Sequence, residues 1–274
     1  MTSLAQSARS TAGKARNSTI LEVLTRAGFV GYGLLHLAVA WLAVQIAFGH
    51  TGQEGSQSGA FRLLSHTPFG RPLLIAVAVG LLAMAVWQLL EAAVGHRDET
   101  GGRRTAERVL SAARTVVYAA LAWTAFQVQA GAPTSSAGQQ RQATAGVLAH
   151  PAGRALVILA ALVVVGVGIG LLVYGAKRMF ERRLKTGRMS YSTRRLVVGL
   201  GRLGYVAKGV AFGIVGLLVF VAAAQKDAAK SSGLDGALHT LAGKPYGQLL
   251  LVAIAAGFAA FGLYCFFQSR YRKV

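Results

Sequence analysis

Acidic side chains are scarce in this 274-residue chain: Asp and Glu together number 9, against 29 Lys and Arg, for a net charge of +20. So few carboxylates leave little material for paired-carboxylate acid–base chemistry. No G-x-S-x-G elbow and no H-E-x-x-H pair occurs either. A non-enzymatic role is expected, with no cofactor and no metal. Cysteine is almost missing as well. Cys265 stands alone inside an apolar run, so an internal disulfide is excluded and a packing role is expected. Charge of either sign is low, at 14% of residues, where a soluble domain carries about 25%. Asn17 is the single asparagine, and Arg outnumbers Lys 21 to 8, a bias that fits a GC-rich bacterial genome. The basic stretches hold no alternating aromatic platforms, so nucleic-acid binding is not expected.

What is present is hydrophobic. Six apolar runs, at about 28–48, 73–94, 109–130, 154–176, 203–224 and 248–268, are each long enough to cross ~30 Å of hydrocarbon as a helix. None alternates with the period of a barrel strand. The first run is too long for a signal-peptide core and reads as a signal anchor. Basic residues flank the runs unevenly, roughly three to one. Arg9, Lys14, Arg16 and Arg26 precede the first run. Arg97, Arg103, Arg104, Arg108 and Arg114 follow the second, the stretch 177–202 follows the fourth, and Arg270, Arg272 and Lys273 follow the sixth. The positive-inside rule then puts both termini in the cytoplasm. The lipid bilayer, with anionic lipid at these basic loops, is the expected partner.

The chain repeats itself. Arg26, Arg114 and Arg202 lie 88 residues apart and introduce the odd-numbered runs, as R-A-G-F, R-T-V-V and R-L-G-Y. The second copy therefore lacks the glycine. Each even-numbered run opens on a second signature: P-F-G-R at Pro68 and Gly70, P-A-G-R at Pro151 and Gly153, P-Y-G-Q at Pro245 and Gly247. Before each proline lies a short amphipathic segment. Proline ends a helix and suits the start of the next, and glycine is expected to serve a tight turn. Each unit thus reads as span, short interfacial helix, proline turn, span. Three units of one orientation are parallel repeats, able to pack with pseudo-threefold symmetry about the membrane normal. The expected division is a cytoplasmic tail at 1–20, repeats at 21–96, 109–180 and 197–270, a basic cytoplasmic loop at 181–196 and a cytoplasmic end at 271–274. The fold class is an all-α integral membrane protein of six transmembrane helices.

These two signatures in three tandem pairs resemble a family of bacterial six-helix membrane proteins built on a domain of unknown function, over about residues 21–270. The resemblance implies the architecture and a membrane location, and no activity or site. Mitochondrial carriers also hold three two-helix repeats, but their motif needs an acid after the proline, which is missing here. Gly199, Gly201 and Gly204 spell G-x-G-x-x-G, without the preceding strand or the later acid of a dinucleotide site.

Polar groups inside the spans are the candidate site. His36 lies ten residues past Arg26, ~15 Å into the bilayer. Lys208 lies six past Arg202 and is expected to snorkel. Glu91 returns toward the terminal side, with Gln88 on its face, and is expected to pair with Arg26, Arg97 or Lys208. Small residues four apart, at Gly166 and Gly170, Gly209 and Gly213, and Ala253 and Gly257, are expected to pack helices or to serve a homo-oligomer. His66 and His150 hold equivalent places in two repeats, without the local spacing of a metal site. Two functions fit: a transporter or channel for a small solute or ion, with the polar groups facing the axis, and a non-catalytic scaffold around a dry axis.

Overall fold

The computed structural model describes residues 19–50, 52–95 and 100–273. The basic tail residues Arg9, Lys14 and Arg16, and Arg97, lie outside them. Among the described residues there are nine α-helices. Helices α1 (Thr19–Ala47), α3 (Gly70–Val94), α4 (Gly101–Gln129), α6 (Gly153–Ala176), α7 (Tyr191–Gln225) and α9 (Gly247–Tyr271) are the transmembrane helices. Helices α2 (Gln57–Ser65), α5 (Ser136–Leu148) and α8 (Gly233–Ala242) are the short interfacial ones. The side of the bundle that carries both ends of the described chain is called the terminal face below, and the side with α2, α5 and α8 the far face.

Hydropathy located the spans, but the odd-numbered helices begin earlier than their apolar runs. Arg26, Arg114 and Arg202 sit seven, thirteen and eleven residues inside α1, α4 and α7 rather than at their openings. Each helix continues past the hydrocarbon into a polar turn.

The three proline turns are alike. Gly70 N–H donates to Thr67 at 2.8 Å, Gly153 to His150 at 2.9 Å and Gly247 to Lys244 at 2.8 Å. Pro68, Pro151 and Pro245 are exposed, and each following glycine is buried as the first residue of its helix. None of these glycines has a left-handed backbone. The requirement is space. A Cβ would meet the Ser65 carbonyl oxygen at 2.1 Å, that of Val147 at 1.8 Å and that of Leu241 at 2.2 Å. The glycine closes the tight turn and lets the even-numbered helix start directly under the last carbonyls of the interfacial helix.

Helix packing follows the repeat. The contact of an even-numbered span with the next odd-numbered one occurs three times, as α3–α4, α6–α7 and α9–α1. Small residues hold two of these joints at equivalent positions. A Cβ on Gly33 would meet the Gly262 carbonyl at 2.8 Å, and one on Gly209 the Gly168 carbonyl at 2.8 Å. Leu121 and Ala85 stand at the same places between α4 and α3. Close approach of backbones is the membrane substitute for a hydrophobic driving force. Gly166 and Gly170 have nothing near them, and Ala253 is exposed, so the expected pairs are partly corrected. Gly168, between the first two, makes the contact.

The contact within a repeat occurs twice, not three times. Gly28 of α1 lies against α3, where its Cβ would meet the Gly80 carbonyl at 2.3 Å, and Gly204 of α7 lies against Phe261 of α9. In the second repeat, Val116 replaces Gly28 and Val163 replaces Gly80. These valines are 70% and 58% exposed, and α4 and α6 share no comparable interface. Two branched side chains stand where glycines would let the backbones meet. The ring of six helices is therefore closed at every joint except one, the seam between α4 and α6.

Candidate functional site

Lys208 points across the bundle axis. Its Nζ donates to the Tyr32 hydroxyl at 3.0 Å and to His36 Nε2 at 3.2 Å. His36 Nδ1 lies 2.8 Å from the Tyr32 carbonyl, an acceptor, so Nδ1 carries the proton and Nε2 is free to accept. The ammonium also stands 4.0 Å from the centroid of the Phe261 ring and 5.2 Å from that of Tyr32. The expected snorkelling does not occur: the head group is held inward by two hydrogen bonds and two aromatic faces.

Tyr32 brings in the second repeat, with its ring 5.4 Å from that of Tyr118 on α4. Phe261 of α9 packs on Tyr32, His36 and Tyr205. The site thus takes residues from all three repeats, and aromatic rings rather than open space occupy the axis at this level. Toward the terminal face, Tyr205 stacks on Phe180, and Phe180 is inserted by the 3₁₀ turn Met179–Arg183 that follows α6. Cys265 is buried in the same aromatic cluster.

His36 and Lys208 are brought together; Glu91 and Gln88 are not part of the group. Lys208 meets His36 and Tyr32 instead of Glu91, so repeats one and three adjoin by a different pair than expected. Arg26 pairs with Glu22 at 2.6 Å, and its Nη1 donates to the carbonyls of Ser269 at 2.5 Å and Arg270 at 2.9 Å, capping α9. Pairing of Glu91 with Arg97 lies outside the described residues. Gln88 is buried on α3. Of the other repeat arginines, Arg114 is half-buried and Arg202 is exposed.

On the far face a polar network ties the three repeats together, and sequence reasoning missed it. Glu54 accepts from Ser58 at 2.8 Å, from Ser56 at 3.0 Å and from the Ser135 hydroxyl. Asp235 accepts from the Gly55 N–H at 2.8 Å, linking repeats one and three. Gln140, Arg141 and Thr144 bond Ser231 and Ser232, linking repeats two and three. Burial raises the Glu54 pKa, but the hydrogen bonds from Ser135, Ser58, Ser56 and the Ser136 backbone outweigh it and hold the carboxyl below its usual range. The serines lie at the starts of the short helices α2 and α5, where no periodicity singles them out, and only Glu54, a rare acid in a polar stretch, marked the place. An open cleft of about 490 Å³ lies beside this network, lined in part by Arg141, Ser232, Asp235 and His239. Its polar groups are already engaged: Arg141 with Ser232, and Asp235 with Gly55 and, at 3.4 Å, His239. His66 and His150 are exposed, and among the described residues no three His, Cys, Asp or Glu side chains converge on a point.

Comparison with known proteins agrees with this architecture. An uncharacterised protein of Bacillus subtilis (strain 168), YxxB, is 28% identical over 250 residues, which cover 91% of this chain and 90% of that protein. No solved structure matches. The Domain of Unknown Function DUF1206 matches three times in tandem, at residues 27–95, 110–178 and 203–272. Two spans and one proline turn make up each match, and on these three copies the chain belongs to the DUF1206 family of membrane proteins.

Proposed function

We propose that the protein is a transporter or channel for a small monovalent anion, with Lys208 as the binding cation and both termini in the bacterial cytoplasm. One observation carries this reading: Lys208 is a cation inside the membrane whose hydrogen-bond partners are all neutral. A charge removed from water and left without a counter-charge is costly, and proteins keep such groups for ions or substrates. The ammonium donates two hydrogen bonds and retains a third N–H. Tyr32 accepts from Lys208, so its hydroxyl proton remains available to a ligand. Two donors and one positive charge among aromatic rings suit an ion of the size of chloride, nitrate or formate. Cations are repelled by the same group.

The aromatic closure of the axis supports a gated path rather than a free pore. Purified protein reconstituted in vesicles is expected to pass chloride or nitrate faster than empty vesicles, and Lys208→Met is expected to abolish the difference. Equal flux with and without protein, or an unchanged rate in Lys208→Met, would overturn the assignment.

A second reading is a non-catalytic scaffold. The open α4–α6 seam supports it, since Val116 and Val163 leave an apolar joint unfilled. A stable homo-oligomer in detergent, together with no anion flux, would favour the scaffold.

A further inference from the structure

Three arginines from distant parts of the chain lie near the terminal end of the bundle. Arg114 projects from the stripe of α4 that also carries Glu107, Ser111 and Tyr118. Arg183 ends the 3₁₀ turn after α6, and Arg272 follows α9. Backbone pairing fixes the last two relative to one another. Leu184 and Arg272 form an antiparallel bridge, Lys185 N–H donates to Tyr271 at 2.7 Å and Lys273 N–H to Arg183 at 3.0 Å.

Arg183 is neutralised, since it donates to Glu107 at 2.6 Å. The other two are not. Arg272 is only 7% exposed, its guanidinium lies 5.0 Å from the Phe29 ring and 5.2 Å from Trp87, and its Nε is buried without an acceptor. Arg114 Nη1 is also buried without an acceptor, two turns along α4 from Glu107, the partner of Arg183. Tyr264, fully buried on α9, the helix that Arg272 follows, has a hydroxyl that lacks a partner too. Buried donors are nearly always satisfied, and two guanidinium groups without a counter-charge suit an anion.

We propose that Arg114, Arg272 and Tyr264 form a binding site for a phosphate group. Two guanidinium groups supply charge and directed N–H donors, the combination suited to a phosphate oxyanion, and the hydroxyl supplies a further donor. Phosphate can arrive free or as the headgroup of an anionic phospholipid. This site is separate from Lys208 and stands whether or not Lys208 binds an anion.

The test uses the full chain, purified in detergent and delipidated, and the same chain extracted from mixed phosphatidylglycerol and phosphatidylcholine vesicles. Stabilisation by inorganic phosphate over chloride at equal ionic strength identifies the free anion. Phosphatidylglycerol retained in native mass spectra, without stabilisation by inorganic phosphate, identifies the headgroup. In either case Arg114→Gln is expected to weaken the effect about tenfold or more, and Arg272→Gln likewise. Arg182→Gln, on an exposed side chain of the same turn, is expected to leave it unchanged. Should Arg272→Gln fail to fold, Arg114→Gln alone decides, because it leaves the C-terminal bridge intact. No stabilisation and no retained lipid, or equal effects in wild type and Arg114→Gln, overturns the site.

Discussion

Lys208 and Tyr32 occupy the same position in two copies of the repeat, 176 residues apart, and they touch each other at 3.0 Å. Equivalent residues of a symmetric ring meet only on its axis, so the contact marks the centre of the bundle. It also shows what divergence has done there: one copy supplies a cation, one a phenol, and the third, Ala120, supplies neither.

Removal of this cation is expected to separate function from stability. Lys208→Met keeps the length of the side chain and its packing on Phe261 but takes away a charge that has no counter-charge. The variant should melt at the wild-type temperature or above it while losing anion flux. Thermal unfolding in detergent, followed alongside vesicle flux, checks both halves. A markedly less stable Lys208→Met would mean that the ammonium is structural.

The proline-turn glycines should be intolerant of a single methyl group. Gly70→Ala, Gly153→Ala and Gly247→Ala each drive a Cβ into a backbone carbonyl, and overpacking of this kind costs about 1–3 kcal/mol. Gly166→Ala and Gly170→Ala meet nothing and replace a poor helix former, so they should be neutral or stabilising by up to ~1 kcal/mol. Denaturant unfolding of the five variants gives the contrast directly.

The seam should respond to its two valines. Val116→Gly with Val163→Gly restores the residues that join α1 to α3 in the first repeat. Spin labels on the terminal ends of α4 and α6 should then report a shorter distance than in wild type. The reverse change, Gly28→Val, should push α1 from α3 and destabilise the protein, because its side chain would meet the Gly80 carbonyl.

Acid should loosen the far face first. The folded-state carboxyl of Glu54 is held below its ordinary value, so its contribution is complete above that ordinary value and disappears as the pH falls through the lowered one. Amide exchange at Ser56–Ser58 and Ser135–Ser136 should rise over that interval, and Glu54→Gln should flatten the pH dependence.

The spans and the repeat were legible because both rest on local signals. Hydrocarbon thickness sets the length of an apolar run, and proline next to glycine marks a joint wherever it recurs. The loss of glycine at Val116 was visible too, though its consequence needed Val163, forty-seven residues away, to be read with it. What was not legible depends on contacts between repeats. Lys208 lies close enough to the terminal face to snorkel, and the side chains of Tyr32, His36 and Phe261 hold it inward. Arg26 and Arg114 match in sequence, yet one caps carbonyls and the other keeps a buried N–H without an acceptor, because the helix end beside each is different. Glu54 carries no periodic signal, and its serine partners come from the starts of two separate helices, α2 and α5.

Three identical joints would make the ring indifferent to direction, with every gap between helices the same to a molecule arriving from the lipid. The paired valines of the second repeat remove that indifference. They give a nearly symmetric body a single front, so that a ligand, a lipid tail or a neighbouring protein has one address on its circumference and not three.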